Sequence, residues 1–193
     1  MGMRRKAGIG VGILIIIIIV LICVSWYVRS RNNLITLDEN INSAWAEIDN
    51  QLQRRSDLIP NLVATVKGFA AQEQKVFSDI ADARAKLAGA GTVAETAEGY
   101  NELQGALSRL LVVVENYPEL KSNQNFIQLS DELAGTENRI AVARKRYNDE
   151  VRTFNTGIRR FPGSMIAGSM GFEQREYFEI DDSARIAPTV DFG

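Results

Sequence analysis

Hydrophobic side chains recur at helical spacing through most of the chain after residue 40. One row has a member every seven residues, and a second row follows it three residues later. The first row is Trp45, Leu52, Ile59, Val66, Glu73, Ile80 and Leu87, and the second is Ile48, Arg55, Leu62, Phe69, Val76 and Ala83. This alternation of three and four residues is typical of an amphipathic helix packed at a shallow angle in a bundle or coiled coil. Pro60 interrupts the pattern without changing its register, which predicts a kinked helix or two nearly collinear helices.

Two further helices are predicted downstream. Residues 89–91 (Gly-Ala-Gly) are the first clear stop signal, and Thr92 with Glu95 matches a capping box for a helix over about 93–115. A last long helix begins near 122–125 and ends at Pro162. Its core-facing positions are spaced by seven, at Phe126, Leu133, Ile140, Tyr147, Phe154 and Phe161. The expected fold is all-α, an elongated antiparallel bundle of three to four long helices with an N-terminal single-pass transmembrane helix.

The N-terminal segment has the properties of a membrane anchor. Residues 7–28 carry no charge, and about 20 helical residues span a bilayer core. Trp26 and Tyr27 lie at its C-terminal end, where amphipathic rings favour the headgroup region. No small-residue cleavage site follows, and the residues before Cys23 lack the small residue that lipoprotein processing needs, so we expect the anchor to be retained. More Lys and Arg residues precede the span than follow it, which favours a cytoplasmic N-terminus and a soluble domain on the outer side.

These patterns divide the chain into four parts. Residues 1–6 are a basic flank, 7–28 the transmembrane anchor and 34–162 the helical bundle. Residues 163–193 are a glycine-punctuated acidic tail, for which we expect little structure of its own. Its apolar residues Phe172, Tyr177, Phe178 and Ile180 are placed to dock on the bundle or on a partner.

Within the anchor, two glycines are candidates for helix packing. Gly8 and Gly12 form a small-xxx-small pair, which lets two membrane helices approach closely. The alternative is that both glycines lie at the edge of the span, where glycine is common and packing contacts are short.

Composition excludes several kinds of chemistry. The chain has no His, and its one Cys, Cys23, lies inside the apolar stretch, which excludes His-based triads, His-ligated metals, Cys zinc sites and an internal disulfide. The inward-facing rows are apolar, so no carboxylate pair is expected there. We therefore predict no catalytic, cofactor-binding or metal-binding residue, and no enzyme. After residue 31 only 17 of the 22 Lys and Arg residues remain against all 24 acids, which argues against a nucleic-acid partner.

A cluster of polar residues surrounds the proline of the first helix. Arg54, Arg55 and Asp57 precede Pro60, and Asn61 follows it. One interpretation is a polar pocket at the kink that binds an anion or a partner's carboxylate. The favoured alternative is that the polar residues of the core rows, Arg55 among them, pair with facing helices and fix the register of the bundle.

Three residues are candidates for polar contacts inside the bundle, namely Glu73, Glu137 and Arg139. Glu137 and Arg139 are close in sequence but point in different directions on a helix, so they do not converge on one ligand. We predict a salt bridge from Glu137 to the two arginines before the proline, with Asp131 and Glu132 as equal alternatives.

Several segments resemble the LemA family, membrane-anchored helical proteins of bacteria. The longest are NSAWAEIDNQLQRRSDLIPNLVATVKGFAAQE at 42–73 and TENRIAVARKRYNDEV at 136–151, followed by YPEL at 117–120, FP at 161–162, GF at 171–172 and FE at 178–179. The resemblance implies an N-terminal anchor in the bacterial plasma membrane and an antiparallel bundle, and it brings no agreed enzymatic activity. The recurrent polar residues of the family match here as Asn42, Asp49, Arg54, Arg55, Asp57, Asn61, Lys67, Glu137, Asn138, Arg139 and Asn148.

Two functional hypotheses follow. The first is a non-enzymatic membrane-anchored interaction module that docks an unknown protein partner or self-associates as a homo-oligomer at the lipid bilayer. The second is an oligomeric scaffold that organises or shapes the membrane. If the bundle self-associates, we expect large side chains that one bundle does not need, such as Tyr100, Leu110 and the Phe172–Phe178 tail, to form the contact.

Overall fold

A computed structural model describes the chain from residue 2 to residue 179, with side-chain environments from residue 12 onward. Across that range six helices follow one another without any strand, which confirms the predicted all-α fold. They are α1 (Gly2–Lys67), α2 (Gln74–Ala88), α3 (Val93–Val114), α4 (Pro118–Lys121), α5 (Gln124–Arg159) and α6 (Gly163–Met170). The chain forms two compact units. Among the described residues, we call Ser43–Asp149 with 176–179 the bundle unit, and 2–42 with Glu150–Arg175 the anchor unit.

In the bundle unit, α2 and α5 both run antiparallel to the C-terminal part of α1. Lys67 at the end of α1 lies over the ring of Phe77 near the start of α2, 5.1 Å from its centroid. The rings of Trp45 and Tyr147 lie 5.4 Å apart, and further along the same two helices Arg55 forms a salt bridge with Glu137. Residue numbers thus rise along α1 as they fall along α5.

The core of the bundle unit is built from the predicted hydrophobic rows. Its main cluster joins α1, α2, α3, α4 and α5. The members are Ile59, Leu62, Val66, Ala70, Phe77, Ile80, Ala83, Leu103, Ala106, Leu107, Leu110, Val114, Leu120, Phe126 and Leu133. Since each buried aliphatic or aromatic side chain contributes roughly 1.5–3 kcal/mol, this cluster is the main stabilising element of the unit.

The structure corrects the extent of the first helix. The continuous hydrophobic rows predict a helix up to Gly89, but α1 ends at Lys67 and α2 begins at Gln74. Gly68 follows the last helical residue, where glycine costs about 1 kcal/mol relative to alanine in a helix. The chain turns there, which brings Phe77 into the same core as Val66. Phe69, which an unbroken helix would bury, is 39% exposed.

The capping box at the start of α3 is present as predicted. The Glu95 N–H donates to the Thr92 hydroxyl over 3.1 Å, and the Glu95 carboxylate accepts from the N–H groups of Gly91 and Thr92. These backbone donors, that of Gly91 first, hold the pKa of the Glu95 carboxyl below its usual range. The capping box thereby satisfies backbone donors at the start of α3, which begins at Val93.

In the anchor unit, the apolar stretch of α1 is uncovered. Its most apolar 18-residue window has a mean hydropathy of 2.6 and none of it is buried, so it is the one candidate membrane span in the described part of the chain. Every large side chain from Ile13 to Val28 is at least 44% exposed. Beyond the span, Leu34 is buried, and both Leu34 and Leu37 come within 3.5 Å of where a Cβ on Gly157 of α5 would lie.

The segment after Pro162 is more ordered than expected. Residues Gly163–Met170 form helix α6, in which Ile166 and Ala167 are buried. Gly171 ends α6 in the left-handed conformation (φ 69°) that favours glycine. In the anchor unit, Asn155 then exchanges two hydrogen bonds of 2.9 Å with the backbone of Arg175. Apolar burial and side-chain-to-backbone bonds therefore order this segment in spite of its glycines, and Ile180 lies outside the described residues.

The expected assembly residues are also corrected. Tyr100 is 1% exposed and Leu110 is fully buried. A single bundle needs both side chains for its own core, so neither offers a contact surface.

The close approach of α2 and α3 generates a stability prediction. A Cβ on Gly99 of α3 would lie 2.9 Å from the Leu87 Cα and 3.0 Å from the Leu87 N, both backbone atoms that cannot move aside cheaply. We expect Gly99→Ala to destabilise the bundle by about 1–3 kcal/mol through overpacking. Thermal unfolding of the full-length protein in detergent, followed by circular dichroism, measures the effect.

The matched control is Gly135→Ala in α5, where nothing lies within 4 Å of the new Cβ. This change should leave stability unchanged or raise it by about 0.5–1 kcal/mol, since alanine is the better helix former. Equal melting temperatures for Gly99→Ala and the wild type would contradict the tight α2–α3 contact.

Candidate functional site

The most unusual feature of the bundle unit is a charged residue in its interior. Arg55 stands in the core row of α1 and is only 4% exposed. Its guanidinium donates to the carboxylate of Glu137 on α5 and to the side-chain oxygen of Gln104 on α3. It also lies over the ring of Tyr100, 5.6 Å from the centroid. One arginine thus connects three helices through an ion pair, a hydrogen bond and a cation–π contact.

Tyr100 completes this polar cluster, which we call the Arg55 cluster: Arg55, Tyr100, Gln104 and Glu137. The Tyr100 hydroxyl donates to the Glu137 carboxylate over 2.6 Å. Burial raises the pKa of the Tyr100 phenol, and the hydrogen bond to the negative Glu137 raises it further. Tyr100 therefore remains a neutral donor at any physiological pH, and Glu137 carries the charge that balances Arg55.

The five residues predicted around the proline do not form one pocket. Arg55 points into the core, whereas Arg54, Asp57, Pro60 and Asn61 are exposed. Asp57 accepts a hydrogen bond of 2.9 Å from Gln53, one turn earlier on α1. Helix α1 continues through Pro60 to Lys67. The polar residues around the proline thus separate into one interior residue and four surface residues.

The remaining candidate residues lie at different places in the structure. Glu137 lies against Arg55, in the pairing that the sequence suggested. Glu73 precedes α2 as its N-cap and accepts a hydrogen bond of 3.5 Å from the hydroxyl of Tyr117. Arg139 is exposed on α5. Gly8 lies in α1 with its surroundings outside the described residues, and nothing approaches within 4 Å of a Cβ on Gly12.

Sequence reasoning missed Gln104 and the polar role of Tyr100. Tyr100 belongs to an apolar helix face, and its hydroxyl was not assigned a partner. One signal was present for Tyr100, because a buried tyrosine hydroxyl needs an acceptor. For Gln104, the signal was its position one turn further along the same face of α3.

A groove lies between α1 and the N-terminal half of α5. Its volume is about 510 Å³, and we call it the α1–α5 groove. It is lined by Arg54, Gln124, Ile127, Gln128, Asp131, Glu132, Gly135 and Arg139. Arg54 and Arg139 form no ion pair with any described residue, and Ile127 is 44% exposed. The groove thus combines two available cations with an exposed apolar side chain.

The acidic side chains of the described residues are dispersed. Within residues 12–179, no three Asp, Glu or Cys side chains gather closely enough to hold a metal ion. Glu137 is paired with Arg55.

These features define an all-α protein with one candidate N-terminal membrane span in its described residues and a helical bundle whose helices are connected by a buried arginine. The family model described as "LemA family" matches residues 44–192, and the chain belongs to that family.

Curated relatives include proteins of two names. Magnetosome protein MamQ 1 of Paramagnetospirillum magneticum is 29% identical, over 77% of this chain and 64% of the relative. Magnetosome protein MamQ of Magnetospirillum gryphiswaldense is 28% identical, over 82% of this chain and 69% of the relative. Protein LemA of Metamycoplasma hominis is 24% identical, over 83% of this chain and 74% of the relative. The chain thus spans less than two thirds of the length of the first of these relatives.

The Arg55 cluster generates a second stability prediction. Glu137→Leu removes the countercharge and leaves a buried guanidinium uncompensated, so we expect a loss of about 3 kcal/mol, the lower end for a broken buried pair because the Glu137 side chain is 34% exposed. Chemical denaturation of the full-length protein in detergent measures it.

Arg109→Ala serves as the control, since it breaks the exposed ion pair with Asp79 (3.1 Å). An exposed pair contributes about 0–1 kcal/mol, so this variant should unfold close to the wild type. If Glu137→Leu were no more destabilising than Arg109→Ala, Arg55 would not depend on its carboxylate.

Proposed function

We propose that this protein is a non-enzymatic, membrane-anchored interaction module whose helical bundle docks a protein partner near the membrane. The observation that carries the proposal is the α1–α5 groove, which is lined by Arg54, Arg139 and the exposed Ile127. The guanidinium of Arg55 binds partners inside the bundle, whereas Arg54 and Arg139 of the groove form no ion pair with a described residue. The groove therefore has binding capacity that the bundle itself does not use.

The side chains that line the groove indicate what kind of segment would bind there. Arg54 and Arg139 present guanidinium groups that pair well with carboxylates, and Ile127 offers apolar area between polar neighbours. A matching segment carries acidic residues toward one end, for the two arginines, and an apolar side chain toward the other, for Ile127. The carboxylates of Asp131 and Glu132 disfavour a wholly acidic ligand and so restrict the choice of partner by repulsion.

Topology and domain limits belong to the same proposal. The excess of Lys and Arg before the span supports a cytoplasmic N-terminus and a bundle on the outer side of the plasma membrane. Residues 7–28 then form the anchor between a basic flank (1–6) and the bundle domain (34–162), with the tail (163–193) following.

Site-specific crosslinking tests the docking surface. A photoreactive benzoylphenylalanine at position 127 of the full-length protein in its own membrane should give a discrete adduct. The double variant Arg54→Glu with Arg139→Glu should reduce that adduct at least tenfold, because it replaces both groove cations with repelling carboxylates.

The matched control is Lys145→Glu with Arg146→Glu, which makes the same charge change at exposed positions of α5 outside the groove. These variants should crosslink as the wild type does. An adduct that survives reversal of the groove arginines, or is lost equally in the control, would contradict docking through this groove.

A second candidate function is an oligomeric scaffold that organises the membrane. The span is uncovered by the rest of the described chain, and the space around Gly12 is open. Close packing of a second span at that face would serve such a scaffold. Two of the relatives are also named after a cellular structure, the magnetosome, and not after a reaction.

Cys23 provides a direct test of this candidate. It is exposed and lies eleven residues after Gly12, roughly three helical turns, so both residues share one face of α1. Oxidation of full-length protein in membranes should give a Cys23–Cys23 disulfide dimer that Gly12→Leu reduces several-fold. Leu14→Phe, on the opposite face, should not. Absence of the dimer in the wild type would rule out packing through this face.

A further inference from the structure

In the anchor unit, helix α5 runs toward the membrane span and ends close to it. The side-chain amide of Asn40 on α1 donates to the carboxylate of Glu150 on α5 over 3.4 Å. Seven residues later, a Cβ on Gly157 would lie 3.5 Å from side-chain carbons of Leu34 and Leu37. Residue numbers fall along α1 as they rise along α5, so the end of α5 lies level with roughly residues 31–33 of α1.

This level corresponds to the lipid headgroups. The uncharged stretch of α1 ends at Val28, and the same helix continues without a break to Lys67. Residues 31–33 therefore lie roughly 5–7 Å beyond the end of the stretch along the helix axis. The headgroup layer on each side of the hydrocarbon core is about as thick, at roughly 5–7 Å. The end of α5 thus reaches the surface of the membrane that α1 crosses.

After α5 the chain turns and leads away from the membrane. Helix α6 is followed by Phe172, whose ring lies 5.5 Å from that of Phe154. Arg175 then forms a salt bridge of 2.8 Å with Asp38. Both contacts lie further from the span along α1 and α5 than the end of α5 does. Residues 159–165, which we call the α5–α6 corner, are therefore the part of this connection nearest the membrane.

The exposed side chains of the corner suit a membrane surface. Phe161 is 77% exposed, more than any other large apolar side chain of residues 12–179, and Met165 is 71% exposed. Arg159 and Arg160 are exposed and form no ion pair with a described residue. No acidic residue occurs within the corner. Apolar side chains beside unpaired cations are typical of segments that lie in the interface of an anionic bilayer.

We propose that the α5–α6 corner docks on the surface of the membrane that α1 crosses. Phe161 and Met165 insert among the headgroups, and the two arginines of the corner pair with anionic lipids. Arg29 and Arg31, exposed just after the span, add positive charge at the same level. The anchor unit then has two attachments to one bilayer, and together they fix its rotation about the axis of the span. Both lie at the C-terminal end of the span, so the proposal holds for either orientation of the protein.

A spin label in the corner measures its depth in the bilayer. Ser164 is exposed between the two apolar side chains, so Ser164→Cys in a Cys23→Ser background carries a nitroxide and leaves all four contact residues in place. The full-length protein is placed in vesicles of equal parts phosphatidylethanolamine and phosphatidylglycerol. Collision of the label with oxygen, which concentrates in lipid, is compared with collision with a water-soluble nickel chelate.

The reference is the same label at the exposed Gln174. It precedes Arg175, which is bound to Asp38, roughly 15 Å beyond the end of the span. Gln174 therefore lies in water. We expect the ratio of oxygen to nickel accessibility to be several-fold higher at position 164 than at position 174.

Variants of exposed residues separate the two kinds of contact. Phe161→Ser with Met165→Ser should lower the ratio at position 164 to the value at position 174. Arg159→Gln with Arg160→Gln should lower it several-fold, and so should replacement of phosphatidylglycerol by phosphatidylcholine. The matched control, Leu111→Ser with Val112→Ser, removes exposed apolar side chains from α3 and should leave the ratio unchanged.

Three results would overturn the proposal. One is a label at position 164 that is as accessible to the nickel chelate as the label at position 174, which would place the corner in water. Another is a label shielded from both reagents, which would indicate that a protein covers the corner. The third is an equal ratio in anionic and zwitterionic vesicles, which would contradict the pairing of the arginines with anionic lipids.

Discussion

The guanidinium of Arg55 cannot keep its hydration inside the bundle, so three helices must supply what water would have supplied. Glu137 of α5 provides the countercharge, Gln104 of α3 a second acceptor and Tyr100 an aromatic face. Each contact depends on the helices having one relative register, because a slide of one turn moves a partner by about 5 Å. The remaining core is apolar, and apolar contacts alone tolerate several packings, whereas the Arg55 cluster tolerates one. We regard specification of the bundle register as its role.

Tyr100 links the Arg55 cluster to the aromatic rings around Phe178. The ring lies under the guanidinium of Arg55, contacts Phe178 edge-on and donates its hydroxyl to Glu137. The contacts with Arg55 and Glu137 thus fix the orientation of the Tyr100 ring. That ring in turn forms one side of the site in which Phe178 is buried. The side chain of Asn148 holds the segment through two hydrogen bonds to the backbone of Phe178. The attachment of the segment therefore depends on a site that the bundle has already formed.

Neighbouring residues of α1 have different roles because successive helical positions are turned by about 100°. Arg55 faces the core, while Arg54 lines the α1–α5 groove with Arg139. Sequence alone grouped Arg54 and Arg55 with Asp57, Pro60 and Asn61 as one polar site. Hydrophobic spacing identified Arg55 as a member of the core row, but it carries no information about which facing residue meets it, and Gln104 had no periodic signal of its own.

The sequence by itself determined the helical class, the uncharged span, the capping box at Thr92 and most of the buried rows, because these depend on local spacing and on side-chain hydrophobicity. It also placed Arg55 in the core row, but it left Glu137, Asp131 and Glu132 as equal candidates for its partner. The break between Lys67 and Gln74 was hidden, since the heptad register continues across it by coincidence while Phe69 is turned outward. Helix α6 and the burial of Phe178 were decided by tertiary structure alone. A glycine-punctuated segment has weak local preferences, and its conformation is set by the surfaces and the asparagine side chains that it meets.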